Sequence, residues 1–131
     1  PAMAGAGTVE DTSMAGTIGT QKFAHRQEVR ITTLDQDLID ARLPAPDLIK
    51  VDVEGYELPV LKGGRRLLEA LHPALYLEMH GETMNEKRRN VRAIVDYLIQ
   101  VGYKKILQIE SEEMITSENC ERAAQGHLYV N

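Results

Sequence analysis

The chain has 131 residues with a formal net charge of -5, and 43% of its residues are hydrophobic. This length suits one domain with a single core, and the composition is that of an ordinary globular protein rather than a disordered or membrane one. The acidic balance argues against nucleic acid as a partner, and no apolar run is long enough to span a membrane. The single cysteine, Cys120, excludes an internal disulfide framework and favours the cytoplasm.

The N-terminal segment, residues 1–20, is dominated by small residues and predicts a flexible linker or loop. We expect the folded part to span residues 21–131. The chain starts at Pro1 without an initiator methionine, which leads us to expect a piece cut from the middle of a longer protein. A missing signal peptide therefore says nothing about the whole gene product.

The first half of the folded part predicts strands and short helices in turn. "EVRITT" alternates apolar and polar residues, as a half-buried strand does, and Thr33 and Gln36 have capping-box spacing for a helix through about Ile39. "LIKVDV" is rich in β-branched residues and predicts a strand of a parallel sheet. Leucines at helical spacing follow, and Gly63 and Gly64 divide them into two short helices or one kinked helix.

The second half continues this alternation. "ALYLEM" predicts a strand, and residues 90–102, "NVRAIVDYLIQVG", predict an amphipathic helix. "YKKILQI" and "GHLYV" predict two last strands, joined as a long hairpin by an acidic segment. The whole pattern predicts an α/β fold with a mostly parallel sheet and an antiparallel pair at the C-terminus.

Acidic residues gather where "LIKVDV" leads into the next helix. Asp52 and Glu54 share one side of the strand and its exit, where ligands of parallel sheets usually bind. Gly55 suits the turn from strand to helix. Asp52 also has a structural explanation, as the ionic partner of Lys50. Glu57 is near the N-terminus of the next helix, where a negative charge is favoured without any catalytic role.

His80 ends the next strand, with Glu78 two residues earlier on the same side. If the two strands are parallel neighbours, these side chains lie beside Asp52. A histidine near carboxylates is a natural general base because its unperturbed pKa is about 6.5. The competing explanation is a surface histidine that only forms hydrogen bonds.

Several segments between Val29 and Tyr103 resemble a known family. "TLDQDL", "DLIKVDVEGYELPVLKGGRRLLE", "HPALYLEMHG" and a later "GY" are similar to the C-terminal half of the FkbM-type S-adenosylmethionine-dependent methyltransferases. The resemblance implies a Rossmann-like methyltransferase fold that transfers a methyl group from S-adenosylmethionine, commonly to a hydroxyl of a sugar, lipid or natural product. It also implies that the glycine-rich, cofactor-binding N-terminal half is absent from this chain.

The resemblance assigns roles to particular positions. Asp52 and Glu54 match the acidic run that faces the methyl donor and acceptor, and Glu78 and His80 match the end of the next strand. We therefore expect catalysis by Asp52, Glu54 and His80, with either His80 or Asp52 taking the hydroxyl proton. Asp52 and Val53 are expected to contact the cofactor. An alternative is a divalent cation such as Mg²⁺ held by Asp52, Glu54 and Glu78.

Two other classes of function stay open. Asp-x-Glu on a strand also occurs in metal-dependent phosphoryl-transfer and nuclease sites, which need a further carboxylate such as Asp96. A non-catalytic interaction module is the other class. As partners we expect a small-molecule acceptor and, through the open edge of the "LIKVDV" strand, either the missing N-terminal half or a second copy of the chain.

Overall fold

The computed structural model describes residues 6–7 and 28–131 of the chain. Two compact units are present, Pro1–Thr32 and Thr33–Asn131. The first unit contains a two-stranded antiparallel sheet that pairs β1 (Ala6–Gly7) with β2 (Val29–Arg30). Apart from β1, the linker predicted for residues 1–20 lies outside the described residues.

The prediction for "EVRITT" is wrong in both length and burial. Only Val29 and Arg30 of this segment form a strand, and both residues are exposed. Val29 keeps 44% of its surface in solvent and Ile31 keeps 54%. Alternation of apolar and polar residues indicates a strand geometry, but it does not ensure that a core lies beneath the apolar side.

The second unit is built on a five-stranded sheet with the order β3-β4-β7-β5-β6. Its strands are β3 (Leu48–Val51), β4 (Ala74–Glu78), β5 (Ile106–Gln108), β6 (Glu113–Met114) and β7 (His127–Val130). β3 and β4 are parallel, whereas β4–β7, β7–β5 and β5–β6 are antiparallel. The α/β class and the C-terminal antiparallel pair are confirmed, but the mostly parallel pairing is wrong because β7 inserts between β4 and β5.

Four helices accompany this sheet. They are α1 (Leu34–Asp40), α2 (Glu57–Gly63), α3 (Arg65–Leu71) and α4 (Met84–Gln100), with a short 3₁₀ helix at Cys120–Ala123. Thr33 caps α1 as predicted, because its side chain accepts a hydrogen bond from the Gln36 N–H. α4 begins earlier than residue 90 because Thr83 and Glu86 form a capping box that the sequence analysis overlooked.

The core is formed by residues of the sheet, of α2, α3 and α4, and of the 3₁₀ helix, whereas α1 contributes no buried residue. On the sheet, Leu75, Leu77, Leu128 and Val130 are each 0% exposed. The predicted apolar stripe is confirmed along α4 and its C-cap residue Val101, and its members are all at most 3% exposed: Val91, Ile94, Val95, Leu98 and Val101. Within residues 28–131 and the pair 6–7, no helix is both long enough and apolar enough to cross a membrane.

The topology brings several chain segments to one edge of the sheet. β3 and β4 run in parallel, so their carboxyl ends lie side by side. β7 is antiparallel to β4, and its first residue, His127, pairs with the last residue of β4, Glu78. This edge therefore collects the residues that follow β3, the residues that follow β4 and the start of β7.

Candidate active site

Three carboxylates surround one imidazole at this edge. His80 Nε2 lies 3.6 Å from Glu54 Oε2 and 3.8 Å from both Asp52 Oδ1 and Glu78 Oε1. The His80 side chain is 16% exposed, whereas that of Glu54 is 85% exposed. We call Asp52, Glu54, Glu78 and His80 the strand-end cluster. In this cluster the His80 ring is largely buried, and its Nε2 faces three carboxylates that are more exposed to solvent.

The turn after β3 puts Glu54 in this position. Glu54 has a φ of +51° and Gly55 has a φ of +99°. A left-handed backbone costs a residue with a side chain about 1–2 kcal/mol, so Glu54 holds an unfavourable conformation. A Cβ added at Gly55 would meet nothing within 4 Å, which shows that glycine is favoured there by its φ rather than by lack of space.

Glu57 fixes the orientation of the histidine ring. Glu57 is the first residue of α2, yet it is only 1% exposed. Its Oε1 accepts hydrogen bonds from His80 Nδ1–H at 2.7 Å and from the Gly55 N–H at 3.0 Å. Asn90 Nδ2 also donates to the His80 carbonyl at 3.0 Å. Because Nδ1 is hydrogen-bonded to Glu57, Nε2 is the ring nitrogen that faces the three carboxylates of the strand-end cluster.

The same contacts set the proton affinity of the ring. Burial of His80 lowers its pKa, but the hydrogen bond and charge of Glu57, with the charges of Glu54 and Glu78, raise it by more. The net result is a pKa above the ordinary value of 6.5. His80 therefore retains a proton at a higher pH than a free histidine does.

Comparison with known proteins gives this arrangement a context. Residues 4–105 match the Methyltransferase FkbM domain. The chain belongs to the FkbM methyltransferase domain family. The match begins upstream of Val29, where the resemblance seen in the motifs began.

A curated relative supports the same assignment. Over 64 residues the FkbM domain is 38% identical to the hexuronic acid methyltransferase AglP of Haloferax volcanii. The aligned part is 47% of this chain and 26% of AglP, so the chain spans about a quarter of that relative. No solved structure matches the chain.

The edge of this FkbM domain extends beyond the predicted residues to His127. His127 Nε2 lies 3.8 Å from Glu78 Oε2, and its Nδ1–H donates to Glu110 Oε1 at 2.5 Å. Glu110 also accepts the His127 backbone N–H at 3.0 Å, and these hydrogen bonds lower the pKa of Glu110. His127 therefore continues the row of alternating carboxylates and imidazoles along the edge.

The structure brings together Asp52, Glu54, Glu78 and His80, all of which were predicted to lie at the site. The Val53 side chain is partly buried and packs on the core, and the Val53 carbonyl accepts a hydrogen bond from the Tyr56 N–H at 3.2 Å. The catalytic roles of these residues and the cofactor contact of Asp52 and Val53 stay predictions.

Glu57 is the residue that the sequence analysis undervalued. Its carboxylate accepts hydrogen bonds from His80 and from the Gly55 N–H, so a favourable charge at the helix end is not the whole reason for its position. A usable signal was present in the spacing of Glu57 and Leu61, which are one helical turn apart and both 1% exposed. A carboxylate in register with a buried leucine points inward and needs a partner there.

The structural explanations for other acidic residues differ in strength. Lys50 Nζ lies 3.1 Å from Asp52 Oδ2, but the two side chains are 61% and 37% exposed, and such surface pairs contribute little stability. Asp96 lies on the exposed side of α4 and accepts a hydrogen bond from Ser117 Oγ–H at 2.9 Å. Asp96, the further carboxylate expected for a phosphoryl-transfer site, is therefore hydrogen-bonded to Ser117.

Proposed function

We propose that this chain is the acceptor-side part of an S-adenosylmethionine-dependent methyltransferase with a Rossmann-like fold, which methylates a hydroxyl group. One observation carries the proposal: in an FkbM methyltransferase domain, the strand-end cluster lies beyond the carboxyl ends of β3 and β4. Ligands of α/β sheets bind at that edge, because loops and helix ends converge there.

The chemistry requires alignment and removal of a proton. S-adenosylmethionine, when bound, would supply a methyl group on a sulfonium, and transfer of that methyl to the acceptor oxygen would leave the electron pair of the broken carbon–sulfur bond on sulfur. The hydroxyl proton leaves, so that the products are a methyl ether and S-adenosylhomocysteine. We assign the reception of the hydroxyl and its proton to Asp52, Glu54 and His80, whose oxygen and nitrogen acceptor atoms lie close together at the ends of the two strands.

The donor site is expected to be shared with sequence outside this chain. Asp52 and Val53, directly after β3, are the proposed cofactor contacts of this part. The aligned segment covers 26% of AglP, which supports a larger intact protein. In this proposal the remaining contacts to S-adenosylmethionine come from a glycine-rich half upstream of this chain.

The name of the relative supports a proposed class of acceptor. AglP is named a hexuronic acid methyltransferase. We therefore propose that the acceptor of this chain is a sugar rather than a lipid or another natural product. A sugar offers adjacent hydroxyls, which suits an edge lined with several hydrogen-bond acceptors such as Glu78 and His127.

The test is methyl transfer by the gene product that includes the upstream sequence. Labelled S-adenosylmethionine is supplied with hexuronic acid glycosides and neutral sugars, and the methylated products are identified by mass spectrometry. We expect transfer to a sugar hydroxyl, with kcat reduced at least about 100-fold in Asp52→Asn. The matched control is Asp47→Asn, because Asp47 is exposed at the opposite end of β3 and should leave kcat unchanged.

Two results would contradict the proposal. Absence of transfer to every acceptor, with donor binding also absent, would remove the methyltransferase function. Cleavage of a phosphodiester that depends on Mg²⁺ or Mn²⁺ and is lost in Asp52→Asn would instead favour the phosphoryl-transfer class.

The open edge of the sheet supports a proposed macromolecular partner. β3 lies at the end of the strand order and pairs only with β4 among the described residues. Leu48 in this strand is 56% exposed. We infer that β3 pairs with the upstream half or, in its absence, with a second copy of the chain. Sedimentation should show self-association that Leu48→Lys weakens, and a monodisperse monomer would contradict this inference.

A further inference from the structure

We propose that His80 Nε2 and the carboxylates of Asp52 and Glu54 form a binding site for one divalent first-row metal ion. The oxygen or nitrogen atoms that these residues offer all lie within 4.8 Å of one another. The site differs from the all-carboxylate set considered from the sequence, because an imidazole replaces Glu78 as a ligand. The proposal goes beyond methyl transfer and does not depend on it.

The distances around His80 suit a shared ion better than direct contacts. Three carboxylate oxygens lie 3.6 to 3.8 Å from Nε2, which is longer than a hydrogen bond. Two ligands bound to one ion at about 2.1 Å are themselves roughly 3.0 to 3.5 Å apart. Small rotations of the side chains, above all of the exposed Glu54, would therefore complete the coordination.

The imidazole is already prepared to bind a metal ion. Glu57 is 1% exposed and accepts the Nδ1–H of His80, so that in the neutral ring the proton is on Nδ1 and the lone pair is on Nε2. Histidine ligands of metal ions commonly donate their other nitrogen to a carboxylate in this way. This buried pair distinguishes the site from a group of exposed acidic residues, which would lack an oriented nitrogen.

The local charges also favour a cation. Asp52, Glu54 and Glu78 converge on His80 from one side, and the buried Glu57 adds a fourth carboxylate from the other. The ammonium of Lys50 lies near Asp52, at 3.1 Å from Oδ2, but it is 61% exposed. A divalent ion among these carboxylates would offset their mutual repulsion far better than one solvated lysine.

The donor set narrows the kind of metal. One imidazole with two carboxylates suits Mn²⁺, Fe²⁺ or Zn²⁺, whereas Ca²⁺ and Mg²⁺ prefer oxygen ligands throughout. Three protein ligands leave coordination positions free on the exposed side, next to Glu54 with its 85% exposed side chain. A hydroxyl or a water molecule could enter there, which is the arrangement of a catalytic rather than a structural metal site.

The test measures metal binding alone, without methyl donor or acceptor. Mn²⁺ is titrated into the chain, with binding followed by electron paramagnetic resonance and calorimetry, and broadening of the ring signals of His80 followed by nuclear magnetic resonance. We expect one ion per chain and selective broadening of His80. Glu54→Gln and His80→Gln should each weaken binding at least about 10-fold, whereas Asp47→Asn should not change it.

Each other result counts against the site. Absence of saturable binding, broadening at a different histidine, or equal affinities in Glu54→Gln and the parent chain would overturn the proposal. Glu54→Gln is the decisive variant because this exposed side chain contributes little to folding, and circular dichroism verifies that each variant is folded. Since no methyl donor is present, failure here would leave the methyltransferase proposal standing.

Discussion

His72 and His80 lie just after a helix and just after a strand respectively, and their surroundings differ in kind. His72 ends α3 with a φ of +45°, and its Nε2 lies 2.9 Å from the Val101 carbonyl, which satisfies it. Its ring also meets Tyr103 edge-on, with 5.2 Å between ring centroids. Both of these side-chain contacts join the end of α3 to the segment that follows α4.

In His80, by contrast, only one of the two ring nitrogens is fixed by a hydrogen bond. Glu57 fixes its Nδ1, while Nε2 faces carboxylates that lie beyond hydrogen-bond distance. Nearby Glu54 keeps a strained φ of +51° without a packing partner that would explain it, since its side chain is 85% exposed. The comparison indicates that the His72 region maintains the fold, whereas the His80 region combines a strained turn with a ring nitrogen beyond hydrogen-bond distance of its carboxylates, which is what the proposed ligand site requires.

The largest expected effect is the loss of stability in Gly102→Ala, which we compare with the same substitution at Gly55. Gly102 has a φ of +105°, and an added Cβ would lie 2.6 Å from His72 Nε2, so Gly102→Ala combines backbone strain with a clash. We expect a loss of about 2–3 kcal/mol in the free energy of unfolding. Gly55→Ala has strain without a clash and should cost only about 1 kcal/mol. Urea unfolding of both variants checks the order, and equal losses would contradict it.

A smaller effect is expected from Tyr103→Phe, next to His72. The Tyr103 hydroxyl donates to the Pro73 carbonyl at 2.7 Å, and its loss leaves a buried acceptor without that donor. We expect a loss of about 1–2 kcal/mol near neutral pH, measured by thermal or urea unfolding. Metal and cofactor binding should not change, because the strand-end cluster is untouched.

The pH dependence of this variant sharpens the prediction. Burial raises the pKa of Tyr103 from 10.0 to about 12, so the folded state favours the neutral phenol. Its stabilising contribution is complete below pH 10 and is lost as the pH rises towards about 12. The stability difference between the parent and Tyr103→Phe should therefore shrink over that range. A difference that stays constant to pH 12 would show that this tyrosine does not titrate as described.

The smallest effect is expected at Glu54. Glycine adopts a φ of +51° without strain, so Glu54→Gly should raise the free energy of unfolding by about 0.5 kcal/mol after the entropy of glycine is subtracted. The same variant should bind Mn²⁺ more weakly. A loss of stability in Glu54→Gly would mean that the Glu54 side chain supports the fold rather than a ligand.

Much of this arrangement was readable from local sequence patterns. Asp52, Glu54 and His80 were predicted to meet because each follows a predicted strand, and the carboxyl ends of parallel neighbours adjoin. The α4 stripe was readable for a similar reason, since its apolar residues recur at helical spacing. These predictions depend only on periodicity within one segment and on the pairing of two adjacent strands.

The features that were missed depend on contacts between distant segments. The insertion of β7 between β4 and β5 is a choice of partner that no pattern within "GHLYV" specifies. The role of His127 follows from that insertion, because its pairing with Glu78 brings it to the site. Glu57 was undervalued because a charge at a helix start has a common explanation, although its register with Leu61 indicated burial.

The most direct test of the central claim is calorimetry with S-adenosylhomocysteine. It is carried out on this chain and on the longest gene product that contains it, each with Asp52→Ala as a variant and Asp47→Asn as a control. We predict strong binding only by the longer protein, weakened by Asp52→Ala and unaffected by Asp47→Asn. Absence of binding by either protein would contradict the assignment of this edge to methyl transfer.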